Sequence, residues 1–232
     1  MKIDVEINNI LGSKYNVYLQ DRPSIPSAIR KVNTIEIPGR DGALTELGEF
    51  IPTEFEMKFN FITRKEDFHS KCDAIKNWLS PTNCKLIFSD NPDWFYKTSY
   101  FEIEEIERLT DRVGVFTVTV HTVDGLKYSV RGTRELDIAD VKLNQYIECK
   151  PIYKITGEGM CTLTVNGKTM KANVGQNLTI DTENMLAYRQ DGTLANTSVT
   201  GDYEDLYLKS GNNTISISPN FALKIIPNWR CL

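Results

Sequence analysis

The 232-residue chain has little of what chemistry at a site usually requires. It holds only two histidines, and its five cysteines (Cys72, Cys84, Cys149, Cys161 and Cys231) include no Cys-x-x-Cys pair. An odd cysteine set without such spacing argues against both a disulfide framework and a zinc knuckle, so reduced, buried or incidental thiols are expected. No H-x-x-x-H, G-x-S-x-G, phosphate loop or dinucleotide fingerprint occurs. No basic run exceeds Arg30-Lys31 or Arg64-Lys65, and the net charge is −4, which excludes nucleic-acid binding as the main role, since phosphate contacts need concentrated Lys and Arg. Nowhere do the roughly 20 consecutive apolar residues of a membrane span appear. Residues 1–7 alternate polar and apolar side chains instead of forming the apolar stretch of a secretory signal, so synthesis and folding in the cytoplasm are expected.

What is present describes a folded, strand-rich protein. Hydrophobic residues make up 41%, charged residues 25% and aromatic residues 10%, a balance that supports packed cores. Period-two alternation marks strands at 16–19, 53–62, 85–88, 97–106 and 114–123. In the last of these Phe116, Val118 and Val120 share one face, while Thr117, Thr119 and His121 share the other. The segment 63–79 breaks the pattern. Phe68, Cys72, Ile75 and Leu79 recur at helical spacing, Thr63 and Glu66 have the spacing of a capping box, and Ser80-Pro81 ends the run. One amphipathic helix over 64–79, lying across a sheet, is predicted.

Between residues 21 and 42 two short strand-like pieces flank proline and glycine turns. An isolated hairpin buries little of itself, so it must fold back on the sheet or reach a neighbouring subunit. The pattern loosens near 131–149, giving a first domain at 1–135, a linker at 136–149 and a second domain at 150–232. In the second, short strands at 152–155, 161–165, 168–170, 177–180, 185–188, 206–208, 214–217 and 222–226, with no helix, point to an antiparallel sandwich. Asn166-Gly167 suits a type I′ turn, and Gly157-Glu158-Gly159 reads as a β-turn.

Few side chains qualify as a chemical site. His69 lies off the apolar stripe and His121 shares a strand face with threonines, so both read as surface or structural residues. Glu102, Glu104, Glu105 and Glu107 cluster on one stretch, with the first two on one face and the last two on the other. Paired carboxylates can cut sugars, but a solvated acidic face is the simpler reading, and in a ring it would repel passing DNA. The aromatics Trp94, Phe95 and Tyr96 suit a core or an interface better than sugar stacking. No catalytic residue, cofactor or metal is expected; a carbohydrate-binding module is the alternative class.

Two segments carry a resemblance. The first is Ile37-Pro38-Gly39-Arg40-Asp41-Gly42, followed by strands leading into the single helix. The second is the C-terminal module, with Pro151-Ile152-Tyr153-Lys154-Ile155-Thr156-Gly157, Leu163-Thr164-Val165-Asn166-Gly167 and the ending Pro227-Asn228-Trp229-Arg230-Cys231-Leu232. In this order they resemble the distal tail (Dit) proteins of siphophages that infect Gram-positive bacteria. The resemblance implies a mostly β fold with one α-helix: an N-terminal antiparallel β-sandwich with a packed helix and a projecting hairpin belt at about 21–45, then a galectin-like β-sandwich. It further implies a hexameric ring, possibly stacked, at the virion's tail tip, assembled in a bacterial host. Its partners would be copies of itself, the tail tube protein, the tail-tip protein and receptor-binding or baseplate proteins, with DNA only passing through and no membrane contact. By that likeness Pro38, Gly39, Arg40, Asp41 and Gly42 belong to the subunit interface, where the Arg40 fork would meet a carboxylate across the boundary.

Overall fold

The computed structural model describes residues 3–39 and 41–232. The chain forms two compact units, 1–127 and 128–231, each treated separately below. The strands of the first are β1 Val5–Ile7, β2 Ile10–Leu11, β3 Val17–Leu19, β4 Ile29–Glu36, β5 Ala43–Ile51 and β6 Glu54–Ile62. After helix α1 Phe68–Leu79 come β7 Cys84–Phe88, β8 Trp94–Ile103, β9 Glu107–Arg108 and β10 Val113–Ser129.

Alternation decides which way each strand faces. Phe55, Met57, Phe59 and Phe61 of β6 point inward, opposite Phe116, Val118 and Val120 of β10 in antiparallel register, and all are buried. The sheet runs β2-β1-β7-β8-β10-β6-β3, and residues from both ends of that order, Val5 and Ile7 on β1 and Val17 and Leu19 on β3, share one core. The sheet therefore curls around its contents, and α1 fills the remaining space with Phe68, Ile75, Trp78 and Leu79. Trp78 packs edge-on to Phe59 at 6.3 Å and donates its indole N–H to the Ile10 carbonyl at 3.3 Å.

The helix is where it was expected, but it begins differently. Residues 65–67 form a 3-10 turn, α1 starts at Phe68, and no side chain caps it, so the Thr63/Glu66 capping box is not used. Arg64 instead donates to the Asp67 carboxylate at 2.7 Å, tying down the turn. Cys72, assigned to the apolar stripe, is only half-buried, while Trp78 occupies the buried face one position before Leu79.

The second unit adds the short helix α2 Ile138–Val141, β11 Leu143–Asn144, β12 Ile152–Val165, β13 Lys168–Asp181 and β14 Leu186–Tyr188. It ends with β15 Val199–Thr200, β16 Gly211–Asn212, β17 Ile215–Ile217, β18 Ala222–Ile226 and β19 Arg230–Cys231. Four of the expected short strands merge into the two 14-residue strands β12 and β13. They pair in unbroken antiparallel register through an Asn166-Gly167 turn with φ of 50° and 82°, the type I′ geometry. Gly157-Glu158-Gly159 is no turn but lies inside β12, where Gly157 (φ 151°) faces Gln176 (φ 69°) and both strands bend. Below the bend β12 and β13 pair with β18 and β14; above it they pair with β17 and β15. Tyr153, Ile155, Leu163 and Val165 from both halves of β12 enter one core, so the two long strands of this six-stranded sheet face it along their whole length. Residues 206–208, expected as a strand, close a 3-10 turn and add one bridge, Leu208 to Cys149.

The linker expected at 136–149 belongs to this unit. Val141 and Cys149 are fully buried in its core, and Asn144 donates to the carbonyls of Ile147 and Lys209 at 2.9 and 3.2 Å. Its apolar residues, among them Leu136, Ile138, Val141, Leu143, Ile147 and Cys149, hold neither a strand period nor a helical one for long, which is why it reads as a connection. Burial pushes the Cys149 thiol from an ordinary 9.0 up to about 12. Folding thus favours the neutral thiol: its contribution to stability is intact below about pH 9 and falls as pH rises toward 12. At pH 8 Cys149 should resist maleimide until the protein is denatured; mass spectrometry showing labelling of the native protein at a free-thiol rate would contradict this.

Candidate functional site

The feature most unlike an ordinary domain is the ribbon of β4 and β5. Among the described residues it forms a two-stranded sheet of its own. Its strands read apolar on both faces, because the register puts Ile35 opposite Leu44 on one side and Val32 opposite Leu47 on the other. Beyond a bulge near Lys31, Ile29 faces Ile51 and Arg30 faces Phe50, with the guanidinium 4.4 Å from the ring centre. These apolar side chains remain in water: Val32 is 56%, Ile35 50% and Leu47 60% exposed. A two-stranded ribbon is at best marginally stable alone, and solvated isoleucine and leucine on both faces mark a surface that awaits cover.

The arm extends over Ile29–Ile51, not 21–45 as the sequence suggested. Residues 21–28 instead run beside the body, where Arg22 pairs with Asp90 and sits 4.5 Å over the Phe88 ring. The returning strand, β5, does not stand out in the sequence because its apolar residues occupy both parities, so neither a buried face nor a polar one is marked. Pro38 and Gly39 form the turn at its tip and Asp41 and Gly42 the following bend, all exposed, with φ of 80° and 78° at the two glycines. Arg40, the fifth residue expected at the interface, lies outside the described residues.

The acidic cluster is exposed throughout. Alternation stops where β8 ends at Ile103, so Glu104, Glu105 and Glu107 border one shallow depression with Gln20, Lys58 and Thr117, rather than dividing between two faces. Glu54, Glu56 and Glu102 extend the acidic surface along the outer side of β6 and β8. His121 stacks on Tyr100, with ring centroids 4.1 Å apart, and its two nitrogens each lie 3.4 Å from a carboxylate, those of Glu54 and Glu102. His69 is exposed on α1, edge-on to Phe68.

Most of the aromatic candidates are committed to packing, while Trp94 is half-buried at the start of β8. Tyr96 joins the first core, Phe95 is buried beneath Lys85, and Trp229 is 7% exposed in the second core. Among the described residues no group of three or more His, Cys, Asp or Glu could hold a metal, and no helix is long and apolar enough to cross a membrane.

A self-paired arm on a curled, helix-backed sheet defines a class, and the comparisons agree. Residues 10–122, just under half of the chain, match the family described as the phage tail protein RIFT-related domain. The chain's whole length takes the Dit fold: it is similar to the Dit protein of phage SPP1, titled a paradigm of the hub adsorption apparatus in phages infecting Gram-positive hosts, with a TM-score of 0.70, 14% identity and coverage of 96% of this chain and 97% of that one. It is also similar to a chain of the phage P2 baseplate in its activated conformation with calcium, at a TM-score of 0.51, 10% identity and 97% coverage of both chains. No curated protein matches it in sequence. The mostly β fold and the resemblance read from the residues are borne out.

Proposed function

We propose that this chain is a non-enzymatic distal tail protein whose copies form a ring, six by the family resemblance, between the tail tube and the tail tip or baseplate with its receptor-binding proteins. The observation that carries this reading is the arm: a two-stranded ribbon separate from the other sheets, with exposed apolar rows on both faces, finds cover when neighbouring copies press against it. Six half-exposed side chains (Ile29, Val32, Ile35, Leu44, Leu47 and Ile51) stand to gain about 1 kcal/mol each on burial. That sum is comparable with the roughly 4 kcal/mol or more that one association costs, so a pair of copies would be weak. In a closed ring every copy engages neighbours on both sides, and the assembly holds. Turning the acidic surface of Glu54, Glu56, Glu102, Glu104, Glu105 and Glu107 inward would line the channel with charge that keeps DNA moving. Synthesis in the bacterial host's cytoplasm and residence in the virion follow from this role.

Burial of Tyr96 and Trp229 removes two of the aromatic platforms that a carbohydrate-binding module would need. Negative-stain microscopy of the purified protein, alone and with the tail-tip protein encoded beside it, tests the proposal. Rings with a central hole are expected; lone particles in both samples would refute it.

At the tip, Arg40 and Asp41 are proposed to make charge-assisted contacts with the next copy. The double substitution Arg40→Ala with Asp41→Ala should weaken self-association roughly tenfold or more while leaving the melting temperature unchanged. Light scattering that finds the same oligomer mass across a dilution series would remove the tip from the interface.

A further inference from the structure

We infer that Thr122 and Gly125 of β10 form a socket that sets the direction in which the arm leaves the body; the consequence for assembly rests on the ring reading above. The arm has two roots, Ala28 just before β4 and Thr53 just after β5. Both come against one short stretch of β10.

The Thr122 side chain is 1% exposed, and every bonding position of its hydroxyl is occupied. It lies 2.8 Å from the Thr53 carbonyl, to which it donates, and 3.0 Å from each of the backbone N–H groups of Thr53 and Gly125, which it accepts; the Thr53 hydroxyl crowds in as a fourth partner, also at 3.0 Å. A hydroxyl offers one donor and two acceptor positions, so none is spare. The β6–β10 ladder runs regularly to Glu54 and His121. One residue further, the Thr122 N–H still reaches the Thr53 carbonyl at 2.9 Å, but the Thr53 N–H turns to the Thr122 side chain. A side chain thus takes over from the backbone where the chain departs into the arm.

Gly125 completes the socket. Its φ is +71°, and a Cβ built there would lie 2.6 Å from Thr53 Oγ1 and 3.4 Å from Ala28 Cα. The missing side chain is what lets both roots lie side by side on β10. Its left-handed conformation, held by the N–H bond to Thr122, would strain any other residue. A ribbon held at two adjacent points by a saturated hydroxyl and a close backbone contact has one exit angle. Ring closure demands a fixed angle between successive copies; variable angles yield open or irregular chains.

The test compares Thr122→Val, Thr122→Ser and Gly125→Ala with the unaltered full-length protein. Native hydrogen exchange of the unassembled protein reads the socket itself, and microscopy of assemblies made with the tail-tip protein reads its consequence. Thr122→Val, which keeps the shape and removes the hydroxyl, should speed exchange at Thr53 and Gly125 at least tenfold without changing protection at Phe59 or Val118. It should also cut the fraction of closed rings several-fold in favour of open or irregular forms. Thr122→Ser should restore both, and Gly125→Ala should lower ring closure. Unchanged exchange at Thr53 and Gly125 in Thr122→Val would overturn the socket, and rings as uniform as the unaltered protein's would overturn its role in assembly. If the unaltered protein forms no rings, the ring reading falls, and the exchange result still decides the socket.

Discussion

Excising the arm, residues 29–51, and joining Ala28 to Pro52 through a short Gly-Ser linker is expected to give a folded monomer that no longer assembles. The structural half of this expectation follows from pairing: among the described residues, β4 and β5 ladder with each other and with no other strand. None of their residues belongs to the first core, so the melting temperature should stay within a few degrees. The linker can be short, because both roots lie against Gly125. The functional half follows from what is lost. Six exposed apolar side chains, at about 1 kcal/mol each on burial, disappear from every interface. Self-association should therefore fall by more than a thousandfold, as dilution in a light-scattering or mass-photometry experiment would show. A shortened protein that still forms rings would place the interface elsewhere, for example on the outer face of the curled sheet.

The second large effect concerns folding. Phe59 is 1% exposed at the centre of the first core, stacked on Phe116 at 5.2 Å and meeting Trp78 edge-on at 6.3 Å. Truncation to alanine removes the ring and leaves a cavity between a strand and a helix that cannot both move in, because β6 is held on both sides, by β10 and β3. Phe59→Ala should cost about 3–5 kcal/mol in urea unfolding. With a domain of this size commonly stable by about 5–15 kcal/mol, that loss brings the first unit close to its threshold. A cost below 1 kcal/mol would mean that the helix and sheet are not locked together through this ring. Leucine at the same position, which fills part of the space, should be clearly milder.

The sequence reveals most about elements that obey one period. β6 and β10 are legible because their apolar residues fall on one parity, and α1 because Phe68, Ile75 and Leu79 share a stripe. Where two rules overlap, legibility fails. β12 and β13 run on through irregular backbone at Gly157 and Gln176, which looks like a break between separate strands, since glycine is the residue of turns as well as of kinks. The segment 136–149 owes its place in the second core to a few long-range contacts, such as the Cys149–Leu208 bridge, that no local pattern encodes. The tip of the arm was found through Pro38 to Gly42, but its length was not. Strands made to be covered by other molecules carry apolar residues on both faces, so alternation cannot reveal them. The socket at Thr122 was invisible for a related reason: a threonine on a strand looks like any β-former until its hydroxyl partners are known.

Amide exchange along residues 29–51, compared between unassembled protein and assembled rings, bears most directly on the idea that this chain is built to bind copies of itself through its arm. Edge amides of β4 and β5 that exchange freely in the monomer should become strongly protected in the ring, together with the tip around Gly39 and Gly42. Rings in which those amides exchange as fast as before would show that the arm is left in water after assembly, and the account would be wrong at its centre.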